Sequence, residues 1–181
     1  LRMQIMAALF AGLTAVCAQI AFPIPFSPVP FTGQTLAVAL TATILGARYG
    51  SLAMILYVFL GAVGIRVFAG FSGGLHVLVG PTGGYIFGYP IAAYVIGKMI
   101  ELRPSSGFIW ALFANAIGLF IFYTTGMVQL KFVAQLNWTG AFVAGVAPFI
   151  PMDILKLILA SAIGITVRRR LRAMGLLKRP S

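Results

Sequence analysis

Asp153 and Lys156 stand three residues apart in the run Pro148-Phe149-Ile150-Pro151-Met152-Asp153-Ile154-Leu155-Lys156, which is otherwise apolar. On a helix that spacing puts them on one face. In hydrocarbon either charge is costly, so both are expected to face protein or a water-filled cavity. A carboxylate there accepts N–H groups, and an ammonium pairs with a carbonyl or a carboxylate. Two roles are open: capture of a ligand, or a structural ion pair that holds the last helix to its neighbours. The lack of other charge nearby favours capture. Catalysis is not expected, because one acid and one amine supply no paired carboxylates, no Ser/Lys or Ser/His set and no metal cluster.

Other polar residues are placed to join them. Thr32 and Gln34 sit at the foot of a proline-rich segment, where they can meet a ligand or cap the following helix. Gly80-Pro81-Thr82-Gly83-Gly84-Tyr85 offers close backbone approach at Gly84. Its Tyr85 reads equally as a ring against ligand or as a belt aromatic at the membrane interface. Asn115 can reach a ligand or hydrogen-bond a neighbouring helix. His76 has no companion at metal spacing, so no metal site is expected. The order G-x-x-x-x-G-K-[ST] is absent, which excludes a phosphate loop. Cys17 is the single cysteine and reads as a structural thiol.

The elements that must position these residues follow from composition. Of 181 residues 61% are hydrophobic and 8% charged, against about 25% charged in an ordinary soluble domain. The chain is expected to be a single transmembrane domain over residues 1–181. A bilayer core takes roughly 20 residues per helix, and six apolar stretches are available: residues 3–22, 35–47, 51–65, 85–102, 108–129 and 138–167. The predicted class is all-α, a polytopic membrane protein built as a bundle of six transmembrane helices. The first stretch ends in Phe22-Pro23-Ile24-Pro25, unlike a signal-peptidase site, and reads as a retained span.

With six spans, Arg2, Arg48, Lys98, Arg103, Arg168, Arg169, Arg170, Arg172, Lys178 and Arg179 fall on one side. The other side holds Arg66 and Lys131, and Lys156 falls within a span. That asymmetry predicts cytoplasmic termini and a basic cytoplasmic tail over residues 168–181. It also accounts for the net charge of +11 without nucleic acid. Two loops then face outward: residues 23–34, whose four prolines make a stiff lid, and residues 66–84, rich in glycine. In the first span Ala7, Ala11 and Ala15 recur at a spacing of four with Ala8 and Gly12 beside them. Such a ridge can admit a partner helix or pack within the chain.

Four ordered motifs resemble the BioY family, the biotin-binding S components of energy-coupling factor (ECF) transporters. They are Pro28-Val29-Pro30-Phe31-Thr32-Gly33-Gln34, Phe68-Ala69-Gly70-Phe71-Ser72-Gly73-Gly74, Gly80-Pro81-Thr82-Gly83-Gly84-Tyr85 and the run ending Asp153-Ile154-Leu155-Lys156. The resemblance covers nearly the whole chain. It implies a six-helix S component that binds biotin outside the cell and docks on a transmembrane T component carrying two cytoplasmic ATPase subunits. It also implies that the Ala7, Ala11 and Ala15 face meets the T component. Arg66, standing where the family usually has proline, joins the expected ligand contacts as a cation for the biotin carboxylate. Biotin is the expected ligand and no cofactor is implied. The alternative is a self-sufficient secondary transporter for a small vitamin-like solute, which would normally show repeated halves with broken helices at the midplane.

Overall fold

A computed structural model describes residues 1–103 and 107–177. Its helices are α1 (Arg2–Ala18), α2 (Gln34–Ala62), α3 (Leu75–Val79), α4 (Gly83–Leu102), α5 (Phe108–Val133), α6 (Trp138–Gly145) and α7 (Ile150–Ala173). Three of them, α2, α5 and α7, are long and apolar enough to cross a membrane. Large apolar side chains such as Leu9, Phe59, Phe113, Phe120 and Ile154 point outward. Helices that are apolar all round are those of a membrane bundle, because lipid accepts the side chains that water rejects.

The 29-residue helix α2 is folded back on itself. Gln34 Nε2 lies 2.6 Å from Tyr57 Oη, whereas 23 residues of straight helix would separate them by about 34 Å. The reversal occurs at Gly46, with φ 83° and ψ −173°. A Cβ there would lie 2.1 Å from Glu101 Oε1. The two apolar stretches expected at residues 35–47 and 51–65 are therefore the two arms of one tight helical hairpin. Charged side chains cap the helix ends at the turn. The Arg168 guanidinium donates to the carbonyls of Thr43, at 3.1 Å, and Ile44, at 2.7 Å, where the first arm ends. Glu101 accepts the Ala47 N–H at 2.9 Å where the second arm begins. Each charge matches the sign of the helix end that it meets.

Other expectations are corrected. The fold is mostly helical but not all-α, since residues expected as a loop form an antiparallel hairpin, β1 (Ala21–Ile24) with β2 (Ser27–Thr32). Its prolines are tolerated because a two-stranded sheet is all edge. The first helix stops at Ala18, short of Phe22, where β1 begins. The stretch at residues 138–167 is two helices, with a break over residues 146–149 around Pro148 and with Pro151 in the first turn of α7. That helix continues to Ala173, so Arg168 is buried in it rather than lying in a tail. Lys178 and Arg179 of the expected tail lie outside the described residues.

Ala7 and Ala11 are 1% exposed and belong to the core, where α1 packs on α2. Ala15 is half-buried against the same core. The ridge is packed within its own chain, one of the two uses its spacing allows. Ala8 and Gly12 are exposed on the adjoining side of α1, with nothing within 4 Å of a Cβ placed on Gly12.

Candidate ligand-binding site

At the end of the bundle opposite Gly46, a cavity of about 250 Å³ is walled by side chains from nearly every element. Asp153 and Lys156 enter it from the first turns of α7, beside the start of α2 and the end of β2. Asp153 is 2% exposed, and both of its oxygens accept hydrogen bonds. Its Oδ1 takes the Lys156 ammonium at 2.8 Å and the Thr35 hydroxyl at 3.0 Å, and its Oδ2 takes the Tyr123 hydroxyl. Lys156 also donates to the Thr32 carbonyl at 2.7 Å and to Thr35 Oγ1 at 3.1 Å. Its Nζ lies 3.8 Å from the centroid of the Phe31 ring, a cation–π contact.

A second chain of hydrogen bonds runs behind this group. Thr32 Oγ1 donates to Gln34 Oε1 at 3.0 Å, Gln34 Nε2 donates to Tyr57 Oη, and Tyr57 Oη donates to the Val67 carbonyl at 3.1 Å. The loop it reaches carries Phe68, Ala69 and Ser72 to the cavity. Phe68 is 1% exposed, edge-on to the Tyr57 ring, and fills the space that Gly61 leaves by having no side chain. From outside the cavity Gln19 grips the same loop. Its Nε2 donates to the Phe68 carbonyl at 3.2 Å, and its Oε1 accepts the Phe71 N–H at 2.8 Å. Phe71 has φ 55°, a left-handed conformation that a side chain disfavours and that the Gln19 contact helps to hold.

The remaining wall is apolar or aromatic: Val29, Phe122, Phe149 and the rings of Tyr85 and Tyr89. Tyr85 donates its hydroxyl to the Gly145 carbonyl at 2.7 Å, so it offers a ligand a ring. Among the described residues no group of three His, Cys, Asp or Glu could hold a metal. The arrangement is a pocket with a polar floor and apolar sides, suited to a small solute that carries both donors and hydrocarbon.

Five of the expected ligand contacts, Asp153, Lys156, Thr32, Gln34 and Tyr85, meet at this cavity, and three do not. Gly84 lies where α4 packs on α5; a Cβ on it would come 2.4 Å from the Thr125 carbonyl oxygen. Asn115 is buried between helices, with its Nδ2 donating to Ser161 Oγ at 2.9 Å and to Thr43 Oγ1 at 3.2 Å. Arg66 is exposed on the turn after α2, away from the cavity wall. Thr35, Tyr123, Tyr89 and Gln19 were not expected. A tyrosine inside an apolar helix needs a hydroxyl partner, and that need was the available signal for Tyr123.

Known proteins agree with this fold and its sequence motifs. The model of the BioY family matches residues 1–173. The chain is 43% identical to the biotin transporter BioY of Thermotoga maritima, over 93% of this chain and 97% of the relative. It is 43% identical to a probable biotin transporter BioY of Pyrococcus horikoshii, over 82% and 85%. A crystal structure of the S-component for biotin from an ECF-type ABC transporter superposes with a TM-score of 0.87 at 23% identity, covering 92% of this chain and 90% of that one. With its sequence matched from end to end of α1–α7, this chain belongs to the BioY family.

Proposed function

We propose that the chain is the biotin-capturing membrane subunit of an ECF-type transporter and not an enzyme. The observation that carries this reading is the Asp153–Lys156 pair set in the floor of an otherwise apolar cavity. Biotin has a ureido ring with two N–H donors and one carbonyl, an apolar thioether ring and chain, and a carboxylate. Asp153 suits the N–H groups. The hydroxyls of Thr35 and Tyr123 hold Asp153, and each can rotate away as a ligand N–H replaces it. Charge on the carboxylate makes that replacement stronger than between neutral groups.

Six spans are the reading of the bundle: α1, the two arms of α2, α4, α5, and α7 with α6 as its outer extension. Basic residues at the Gly46 end support placing that end and both termini in the cytoplasm. The cavity then opens outward, and delivery falls to a T component with two ATPase subunits. The exposed Ala8–Gly12 side of α1 is the face offered to that partner.

Titration of the purified protein with biotin tests the core of the proposal. Saturable binding is expected, and Asp153→Asn weakens it at least tenfold, about 1.4 kcal/mol, while the protein stays folded. Equal affinity in the two proteins would remove Asp153 from the site. Accumulation of biotin by the protein alone in liposomes, driven by a proton gradient, would replace the shared-ATPase reading with that of a secondary transporter.

A further inference from the structure

The donors around the cavity are nearly all spent within the protein. Lys156 has three ammonium protons, and three acceptors take them: the Thr32 carbonyl, Thr35 Oγ1 and Asp153 Oδ1. The hydroxyls of Thr32, Thr35, Ser72, Tyr85 and Tyr123 each donate to a protein oxygen. Tyr89 differs. It is 4% exposed and lines the cavity, and its ring stands edge-on to Phe122 with centroids 5.7 Å apart. Its hydroxyl has no acceptor among the described residues and is not sealed into the packing, so it stays within reach of whatever the cavity holds.

We infer that Tyr89 is a ligand-binding and specificity-determining residue, whose phenol donates a hydrogen bond to an oxygen of the solute held in the cavity. The inference rests on the reading of that solute as biotin and extends it. Asp153 takes the donors of the ligand, and Tyr89 takes an acceptor. Lys156 keeps its three protein partners and holds Asp153, Thr32 and Thr35 in register, instead of serving as the first contact for a ligand oxygen. Such a division makes the site selective, because an analogue without the acceptor leaves a buried hydroxyl unpaired.

The test compares the wild type and Tyr89→Phe with three probes. They are biotin, iminobiotin, whose ring carries an N–H donor where biotin has the ureido oxygen, and an analogue ending in methyl in place of the carboxylate. Wild type is expected to prefer biotin over both. Tyr89→Phe is expected to lose about tenfold in biotin affinity and much less for one of the two analogues, which identifies the oxygen that Tyr89 meets. Biotin binding by Tyr89→Phe within about twofold of wild type overturns the assignment. So does a loss of the same size for all three probes, because that marks a general disturbance of the cavity. If Tyr89→Phe does not fold, the preference of wild type decides, and equal affinity for the three probes overturns the assignment. Wild type that binds none of them overturns both this inference and the functional reading. Wild type that binds biotin beside an unaffected Tyr89→Phe overturns this inference alone.

Discussion

Among the described residues the bundle holds two carboxylate-and-cation groups, one at each end and each with one member buried and the other half-buried, and they are put to different use. At the Gly46 turn, Glu101 and Arg168 reach past each other to bare backbone ends of α2, an N–H for the acid and two carbonyls for the base. The backbone groups they serve, one donor and two acceptors, are fixed by the fold. At the opposite end Asp153 and Lys156 bond directly to each other, and the donors that complete Asp153 are two rotatable hydroxyls beside an open space. A buried charge marks a binding site when its partners can be exchanged for those of a ligand. When its partners are helix ends, the same charge is architecture.

That contrast is breakable by separating affinity from stability. The largest effect is expected at Asp153→Ala, which removes the acceptor altogether: biotin affinity falls at least about a hundredfold, ~2.7 kcal/mol, as read by calorimetry. Next comes Gly46→Ala at the other end. A Cβ in a left-handed residue against Glu101 costs about 2 kcal/mol of stability, seen as a lower melting temperature, while the biotin affinity of the folded fraction stays within about twofold. A tenfold affinity loss there would mean that the two ends are coupled through the arms of α2. Gln19→Ala is smaller again. Release of the Phe68–Phe71 loop is expected to raise the rate of biotin dissociation about fivefold, measured by chase with excess unlabelled ligand. An unchanged rate would show that the loop holds its place without α1.

Much of this was legible in the chain, for reasons that differ by residue. Asp153 and Lys156 stood out because charge in an apolar stretch has few places to go. The arms of α2 were legible as two apolar stretches around Arg48-Tyr49-Gly50, although the reversal sits at Gly46, where an exceptional φ has no signal beyond the glycine itself. The hairpin was hidden by its prolines, which argue against strands unless every strand is an edge. The neighbour of Ala7 and Ala11 was not legible, because small-residue spacing fits either an internal or an external helix, and in the fold α2 takes that place. Thr35 and Gln19 were invisible for a different reason: their partners lie 118 and 49 residues away, at distances only the fold creates.

Arg66 gives the finest test of where the site ends. A guanidinium was an attractive counter-charge for a biotin carboxylate, and it lies two residues before Phe68, which does line the cavity. Yet its side chain is exposed on the turn after α2, and the backbone between them is held by Tyr57 at Val67 and by Gln19 at Phe68. A charge in water beyond the wall contributes little to a ligand within it, since solvent screens the interaction. Arg66→Ala is therefore expected to leave biotin affinity within about twofold at physiological salt. A loss of tenfold or more, present at low salt and fading as salt is raised, would show Arg66 reaching the carboxylate from the rim. A comparable loss that salt leaves untouched would instead mean that the loop closes over bound ligand and carries Arg66 inward, past the two side chains, Tyr57 and Gln19, that fasten it.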